Sequence, residues 1–292
     1  VVSGGLLDEK DMLSAFKSMM STGMLSNLND YLTPHTSNPW TEMAALAPRT
    51  LRSTVDAAHV KMTSIESAYC LAIAGLMHCL ENNQQPIRYA IWGLGKAGRR
   101  FASRFDHARV LGRRPMLTAC CDSKGAWIDH RGLEHERVSG FKARNGHLPM
   151  GTGEHPSEVL YADVDLLVLA GRGKSISLES IPRLKATLIL DFTGAVSPDV
   201  EDALMDAGHL FIPSVLTTAG PMILGALELK HGQTPGAKVL QDAISMQCGS
   251  VFGSAMALRE DKGMNLTDAL IALGLMRLNK DKVLELERSI QV

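Results

Sequence analysis

Aromatic residues are scarce in this sequence of 292 residues, at 5%, and net charge is almost absent, with a formal value of −1. A nearly neutral chain has no global basic field to recruit nucleic acid or an anionic membrane. No apolar run approaches the roughly 20 residues that a membrane-spanning helix needs. We therefore expect a globular protein with no nucleic-acid partner and no membrane partner.

The sequence also lacks any cysteine pair with CxxC spacing, and its five cysteines are odd in number. This pattern indicates neither a disulfide framework nor a zinc site. Reduced thiols are typical of the cytoplasm, which is the location we predict.

Four histidines lie close together in the sequence, but their spacings of 5, 12 and 8 residues match no common metal-ligand pattern. They are His130, His135, His147 and His155. We interpret them as surface residues of a long loop and predict no metal.

Short apolar runs alternate with helical patterns along the middle of the chain. The predicted strands cover 87–92, 116–121, 165–170, 187–192 and 209–213, and the predicted helices include 7–30, 64–82 and 266–286. Strands that alternate with helices indicate an α/β fold with right-handed crossovers. We predict a Rossmann-type doubly wound parallel sheet with flanking N- and C-terminal helices.

Three segments follow from this pattern. Residues 1–86 form a helical and irregular N-terminal segment. Residues 87–232 form the dinucleotide-binding domain, and residues 233–292 form C-terminal helices that pack back on the other segments.

The glycine motif GLGKAG stands where a Rossmann domain requires it, between a hydrophobic strand that ends at Trp92 and a helix. In such a motif the first glycine permits the turn, the second admits the pyrophosphate and the third allows close packing of helix and strand. Backbone amides and the helix dipole then bind the anion. The predicted cofactor contacts here are Gly93, Gly95, Lys96, Ala97 and Gly98.

An acidic residue is expected at the end of the second strand, where it binds the adenine ribose. Asp122 stands there, 24 residues beyond Gly98, and favours NAD because a carboxylate repels a 2′-phosphate. The next residues, Ser123 and Lys124, could instead bind that phosphate. The cofactor is therefore predicted to be NAD or NADP, with NAD favoured.

The runs AIWGLGKAGRRFA and CCDSKGAWIDHRGLE resemble the C-terminal domain of the glutamate/leucine/phenylalanine/valine dehydrogenases. The similarity continues through LILDFTGAVSPDVEDAL and GHLFIPSVLTTAGPMILGALEL and covers about residues 60 to 285. The resemblance implies an NAD(P)-dependent oxidoreductase, in which hydride transfer involves an amino acid, a 2-oxo acid or a related imine. It also implies cofactor contacts after the later strands, at Ala170, Gly171, Arg172, Thr193 and Thr218. The resemblance further implies that residues 1–86 are the remnant of a substrate domain.

The sequence departs from the family pattern at the residues that transfer protons. The family uses a lysine in a glycine-rich segment and an aspartate after a proline. In the nearest segments here, Ser3 stands in place of the lysine, and Thr33–Asn38 contains no carboxylate. We therefore assign no catalytic residue, and because the sequence begins at Val1 we expect more chain upstream.

Two hypotheses stay open, with the enzyme favoured: an active dehydrogenase, or a non-catalytic nucleotide-binding or regulatory protein of the same descent. The substrate would be a small molecule, and a homo-oligomer stays open.

Three further residue groups have two interpretations each. Arg172 and Lys174 follow the third predicted strand, so they either bind a carboxylate or phosphate or belong to a solvated loop. Asp191 ends the fourth predicted strand and either contacts the ribose or nicotinamide or caps a helix. His35 is either a replacement acid/base group or an exposed loop residue.

Overall fold

The computed structural model describes residues 57–80, 85–149, 155–172, 175–231 and 235–276. The predicted helix over 7–30 lies outside the described residues, as do Ser3, His35 and Lys174. The end of the predicted helix 266–286 lies outside them as well.

The described elements alternate between helices and strands for most of the chain. In chain order they are α1 (Ala57–Cys79), β1 (Ile87–Trp92), α2 (Lys96–Phe105), β2 (Pro115–Cys121), β3 (Ala126–Leu133), α3 (His135–Asn145), β4 (Leu166–Leu169), β5 (Leu188–Asp191), α4 (Pro198–Asp206), β6 (Leu210–Ile212), α5 (Ser214–Thr217), α6 (Gly220–His231) and α7 (Ala237–Lys262), followed by α8 over 266–276. Two 3₁₀ helices, Pro156–Tyr161 and Leu178–Arg183, flank β4.

The six described strands form one sheet with the order β3-β2-β1-β4-β5-β6. Strands β2, β1, β4, β5 and β6 are parallel to one another, whereas the edge strand β3 pairs antiparallel with β2. The predicted α/β fold with a Rossmann-type sheet is thus confirmed, with one antiparallel edge strand added to it.

Strand β3 corrects the prediction of a long loop between the second and third predicted strands. His130 is exposed on β3, and His135 is the first residue of α3. Sequence analysis missed the strand because a half-exposed edge strand has no continuous apolar run.

Side chains of the parallel strands alternate between two apolar layers, as period-2 geometry requires. Ile87, Tyr89 and Ile91 of β1 belong to the core under α1, α2 and α7, and Ala90 belongs to the core under α4 and the two 3₁₀ helices. The carboxyl edge of the sheet is thereby held between two packed layers.

Helix α1 begins earlier than predicted, at Ala57 instead of Ser64, so that Ser64 lies inside the helix. The helix packs closely on the sheet, since a β-carbon on Gly75 would lie 2.8 Å from a methyl group of Leu188. Residues of α1 share one core with the sheet, and the division of the chain at residues 86 and 232 stays a prediction.

Candidate nucleotide-binding site

The glycine loop joins β1 to α2 at the carboxyl edge of the sheet. Gly93 has a φ of +100°, a backbone conformation that disfavours any residue with a β-carbon. A β-carbon on Gly93 would lie 2.2 Å from the Gly171 amide nitrogen, and one on Gly98 would lie 2.5 Å from the Gly93 carbonyl oxygen. Glycine is therefore required at both positions to bring β1, α2 and the loop after β4 together.

Gly95 differs from these two glycines because it is exposed and has free space beside it. A β-carbon there would meet no described atom within 4 Å. Gly95 is the N-cap of α2, and no side chain hydrogen bond caps the helix at this end. The first turn, at Lys96 and Ala97, therefore presents backbone amides and the positive end of the helix dipole to that space. This geometry fits the pyrophosphate of a dinucleotide.

Asp122 directly follows β2, and its side chain is 7% exposed. Its Oδ1 accepts hydrogen bonds from the amides of Lys124 at 2.9 Å and Gly125 at 3.0 Å. Its Oδ2 accepts from Lys142 Nζ at 2.6 Å and from the Leu148 amide at 2.9 Å. Burial by itself would raise the pKa of this carboxyl, but the four hydrogen bonds lower the pKa below its ordinary value. The carboxylate is thus held in its charged form.

Lys142 was not among the predicted site residues; it lies on α3, which follows β3 in the chain, and its Nζ contacts Asp122. Its side chain is 16% exposed, so the ion pair is largely removed from water. No local spacing signals such a pair, because 20 residues and an unpredicted strand separate the two partners.

Ser123 and Lys124 follow Asp122 in the turn that leads into β3, and both are exposed. Gly125 closes the turn, where a β-carbon would lie 2.4 Å from the Pro149 carbonyl oxygen. The turn therefore holds its backbone inward and presents the side chains of residues 123 and 124 to solvent.

The loop after β4 contains Ala170, Gly171 and Arg172. The Ala170 amide donates a hydrogen bond of 2.8 Å to the Trp92 carbonyl. A β-carbon on Gly171 would lie 2.3 Å from the Trp92 indole, so this loop packs directly against the end of β1. Arg172 is exposed.

Asp191, at the end of β5, is 1% exposed. One carboxylate oxygen accepts hydrogen bonds from the Thr193 amide at 2.8 Å and the Thr193 hydroxyl at 2.7 Å, and the other accepts from the Gly194 amide at 2.9 Å. The side chain thus stabilises its own turn and fixes the position of Thr193. Of the two interpretations of Asp191, the geometry favours a structural one.

Thr218 follows the short helix α5, and its hydroxyl donates a hydrogen bond of 2.7 Å to the Ser214 carbonyl. The neighbouring Thr217 hydroxyl donates to the Asp191 carbonyl, which joins this helix to the end of β5. Ser67 of α1 is fully buried and donates to the Thr217 carbonyl at 2.6 Å. Ser67 was not among the predicted site residues, because a small polar residue within an apolar helix is a weak signal.

The predicted site residues thus follow the carboxyl ends of five strands: β1, β2, β4, β5 and β6. Several are joined directly, since the Gly93 amide donates a 3.2 Å hydrogen bond to the Cys121 carbonyl and Gly93 also lies against Gly171. This edge is where parallel α/β sheets bind ligands. Contact between these residues and a cofactor stays a prediction.

Two histidines of the segment after β2 contact groups other than a metal. The imidazole of His135 pairs with the Asp106 carboxylate at 2.8 Å, and His155 lies 2.8 Å from the Ser157 hydroxyl. Within the described parts of the chain, no three His, Cys, Asp or Glu residues are grouped so that they could hold a metal. None of the helices described there combines the length and apolar character needed to cross a membrane.

Residues 57–283 match the sequence model of the Glutamate/Leucine/Phenylalanine/Valine dehydrogenase family. The chain belongs to this family. The match covers the glycine loop, the Asp122 turn and the segments after β4, β5 and β6, and it confirms the resemblance found in the sequence.

Two relatives show the extent of the similarity. The glutamate dehydrogenase of Thermotoga maritima is 24% identical over 213 residues, which cover 70% of this chain and 50% of that protein. The glutamate dehydrogenase of Aeropyrum pernix is 28% identical over 151 residues, which cover 50% of this chain and 35% of that protein. The chain therefore spans about half the length, or less, of these curated relatives.

Solved structures of the family share the fold. A hetero-hexameric glutamate dehydrogenase from Thermus thermophilus superposes with a TM-score of 0.64 at 20% identity, covering 76% of this chain and 52% of that chain. An L-tryptophan dehydrogenase from Nostoc punctiforme superposes with a TM-score of 0.57 at 17% identity, covering 76% of this chain and 60% of that chain. The similarity to the solved structures concerns the fold of this dehydrogenase family.

Proposed function

We propose that this dehydrogenase-family chain binds NAD or NADP and serves an oxidoreductase that acts on an amino acid, a 2-oxo acid or a related imine. The observation that carries the proposal is the uncapped first turn of α2 beside the open space at Gly95. Gly93 and Gly98 are packed so tightly that only Gly95 leaves room for a ligand. A bound dinucleotide would supply or accept the hydride.

The residues of this chain would bind and orient the cofactor. The amides of Lys96 and Ala97 face the pyrophosphate position, and the exposed Lys96 side chain adds positive charge there. Thr193 and Thr218 are fixed by hydrogen bonds in the segments that follow β5 and β6, where the nicotinamide half of a dinucleotide is expected. No described residue is assigned a proton-transfer role.

Cofactor binding is tested by thermal unfolding in the presence of millimolar NADH or NADPH. We expect at least one dinucleotide to raise the Tm, because a ligand that binds the folded state alone stabilises it. Gly95→Val should keep the unliganded Tm, since its β-carbon meets open space, and should abolish the shift. Gly253→Val is the matched control: this glycine of α7 is also exposed and open, and its variant should keep the shift. A shift that survives Gly95→Val would remove the site.

Substrate chemistry is tested with a panel of 2-oxo acids plus ammonia, followed at the nicotinamide absorbance. Turnover with one member of the panel is the expected result. Tight dinucleotide binding without turnover of any member would instead support the non-catalytic, regulatory alternative.

We also propose a cytoplasmic location and assembly into a homo-oligomer. All five cysteines are free thiols, which suits a reducing compartment. Large apolar side chains are exposed on the C-terminal helices, among them Val239, Met246 and Leu275, and such side chains suit contact with a second copy. Sedimentation equilibrium of the purified chain tests the assembly.

A further inference from the structure

The Asp122 carboxylate has no acceptor position left for a ribose hydroxyl. A carboxylate offers about four lone-pair sites on its two oxygens. Two backbone amides occupy Oδ1, and Lys142 Nζ together with the Leu148 amide occupies Oδ2, at distances of 2.6 to 3.0 Å. A ribose diol could bind Asp122 only by displacing one of these donors.

Displacing any of the four donors is unfavourable. The Lys142 bond joins two opposite charges whose side chains are 16% and 7% exposed, and separating such a pair leaves an unpaired buried charge. The three amides belong to backbone that is fixed by close packing at Gly125, where a β-carbon would lie only 2.4 Å from the Pro149 carbonyl oxygen. A neutral hydroxyl is a weaker donor than the ammonium group that it would replace.

The charges around Asp122 favour an anion. Lys142 neutralises the carboxylate that would otherwise repel a 2′-phosphate. Lys124 adds a positive charge, and Ser123 adds a hydroxyl donor, both exposed in the turn directly after Asp122. The set formed by Asp122, Lys142 and Lys124 therefore carries one net positive charge at the end of β2, where the adenine ribose of a Rossmann cofactor lies.

We infer that this site selects a 2′-phosphorylated dinucleotide, so that NADP(H) binds more tightly than NAD(H), with Ser123 and Lys124 contacting the 2′-phosphate and Lys142 suppressing the charge of Asp122. The inference rests on the proposed function. It reverses the preference for NAD that Asp122 indicates in the sequence, because the sequence does not show that Lys142 neutralises this acid.

The test measures the dissociation constants of NADPH and NADH by titration of nicotinamide fluorescence at fixed ionic strength. NADPH should bind at least about tenfold more tightly, as expected for charge-assisted hydrogen bonds to a phosphate. Equal affinities, or tighter binding of NADH, would overturn the inference and leave the proposed function intact. Binding of neither dinucleotide would instead refute the proposed function.

Variants identify the residues that cause the preference. Lys124→Ala should reduce the NADPH-to-NADH affinity ratio by about fivefold or more, as expected for loss of one charged phosphate contact. Lys185→Ala is the matched control, because Lys185 is also exposed but precedes β5 at the opposite edge of the sheet. An unchanged ratio in Lys124→Ala would contradict the assignment of the phosphate contact.

Lys142→Met tests the role of the ion pair. Without Lys142, the Asp122 carboxylate is no longer neutralised. Its negative charge should weaken NADPH binding and lower the NADPH-to-NADH affinity ratio. If this variant does not fold, the ratio in Lys124→Ala and the wild-type affinities decide the question. A folded Lys142→Met protein that retains the wild-type preference would show that Lys142 has no part in it.

Discussion

A β-carbon placed on Gly93 would lie 2.3 Å from the Gly171 Cα, so the glycine loop after β1 rests directly on the loop after β4. The two loops come from neighbouring parallel strands and contribute predicted cofactor contacts from both sides. The two loops can lie this close only because Gly93 has no side chain. Gly93 is thus a structural requirement of the site, whereas Gly95 is the position that leaves room for a ligand.

Gly93→Ala should destabilise the protein more than Gly112→Ala. Both glycines have positive φ, +100° and +77°, but a β-carbon on Gly112 would meet nothing within 4 Å. Backbone strain alone costs about 1 kcal/mol for alanine at such a position, and the backbone clash at Gly93 should bring the total to about 3 kcal/mol or more. Chemical denaturation measures both free energies of unfolding, and equal losses would show that the loops do not pack as described.

Arg104→Lys should lower stability by about 1 to 2 kcal/mol, because lysine cannot form the two-point contact with Glu66. Arg104 Nε and a terminal nitrogen lie 3.1 and 2.9 Å from the two Glu66 oxygens, which ties α2 to α1 behind the glycine loop. The guanidinium also lies over the Tyr69 ring, 3.7 Å from its centroid. The loss is measured by denaturation, and a double-mutant cycle with Glu66→Gln should show coupling.

Arg183→Lys is the control for the Arg104 prediction. Arg183 also lies 3.7 Å from a ring centroid, that of Tyr161, but its pair with Glu158 is an exposed single contact of 3.5 Å. Such exposed pairs contribute about 0 to 1 kcal/mol. A loss for Arg183→Lys as large as that for Arg104→Lys would assign the stabilisation to ring stacking instead of the partly buried Arg104–Glu66 pair.

Glu201 of α4 is a buried carboxyl that should make stability depend on pH. Burial, followed by the negative charges of Asp191, Asp268 and Asp202, raises its pKa to about 7 from the ordinary value of 4.5, against the lowering effect of the Thr267 hydroxyl. Between these two pH values the folded state retains a proton that the unfolded state has lost. Stability should therefore fall as pH rises from 4.5 to about 7 and then stay level.

Glu201→Gln should remove this dependence. At pH 8 the variant should be more stable than the wild type by about 1 to 2 kcal/mol, and the difference should vanish toward pH 5. Thermal unfolding across this pH range measures the effect. Glu136→Gln, an exposed substitution on α3, is the control and should follow the wild-type curve. A variant that is less stable than the wild type at pH 8 would contradict the prediction.

The thiols should be unreactive in the folded protein. Burial is the largest cause that raises the pKa of Cys79 to about 11 and the pKa values of Cys121 and Cys248 to about 12, and it also raises the pKa of Cys120 and Cys70. Because the thiolate is the reactive form, labelling with a disulfide reagent at pH 8 should be slow. Guanidinium should release all five thiols. Rapid labelling of the native protein would show that its core opens readily.

Most of the fold could be predicted from local patterns. The strands of the parallel sheet are continuous apolar runs because both of their faces are buried, and all five predicted strands begin within one residue of the observed ones. Strand β3 escaped prediction because an edge strand with one exposed face carries a weak apolar signal.

The family, the α/β sheet and the position of the glycine loop could be predicted from the chain, because they depend on the type and spacing of neighbouring residues. The position of Asp122 at the end of β2 could be predicted in the same way. Its surroundings depend on folding, since Lys142, which follows an unpredicted strand, and the Leu148 amide complete its four hydrogen bonds. The charge of a side chain belongs to the sequence, but its availability to a ligand depends on the residues that folding brings against it.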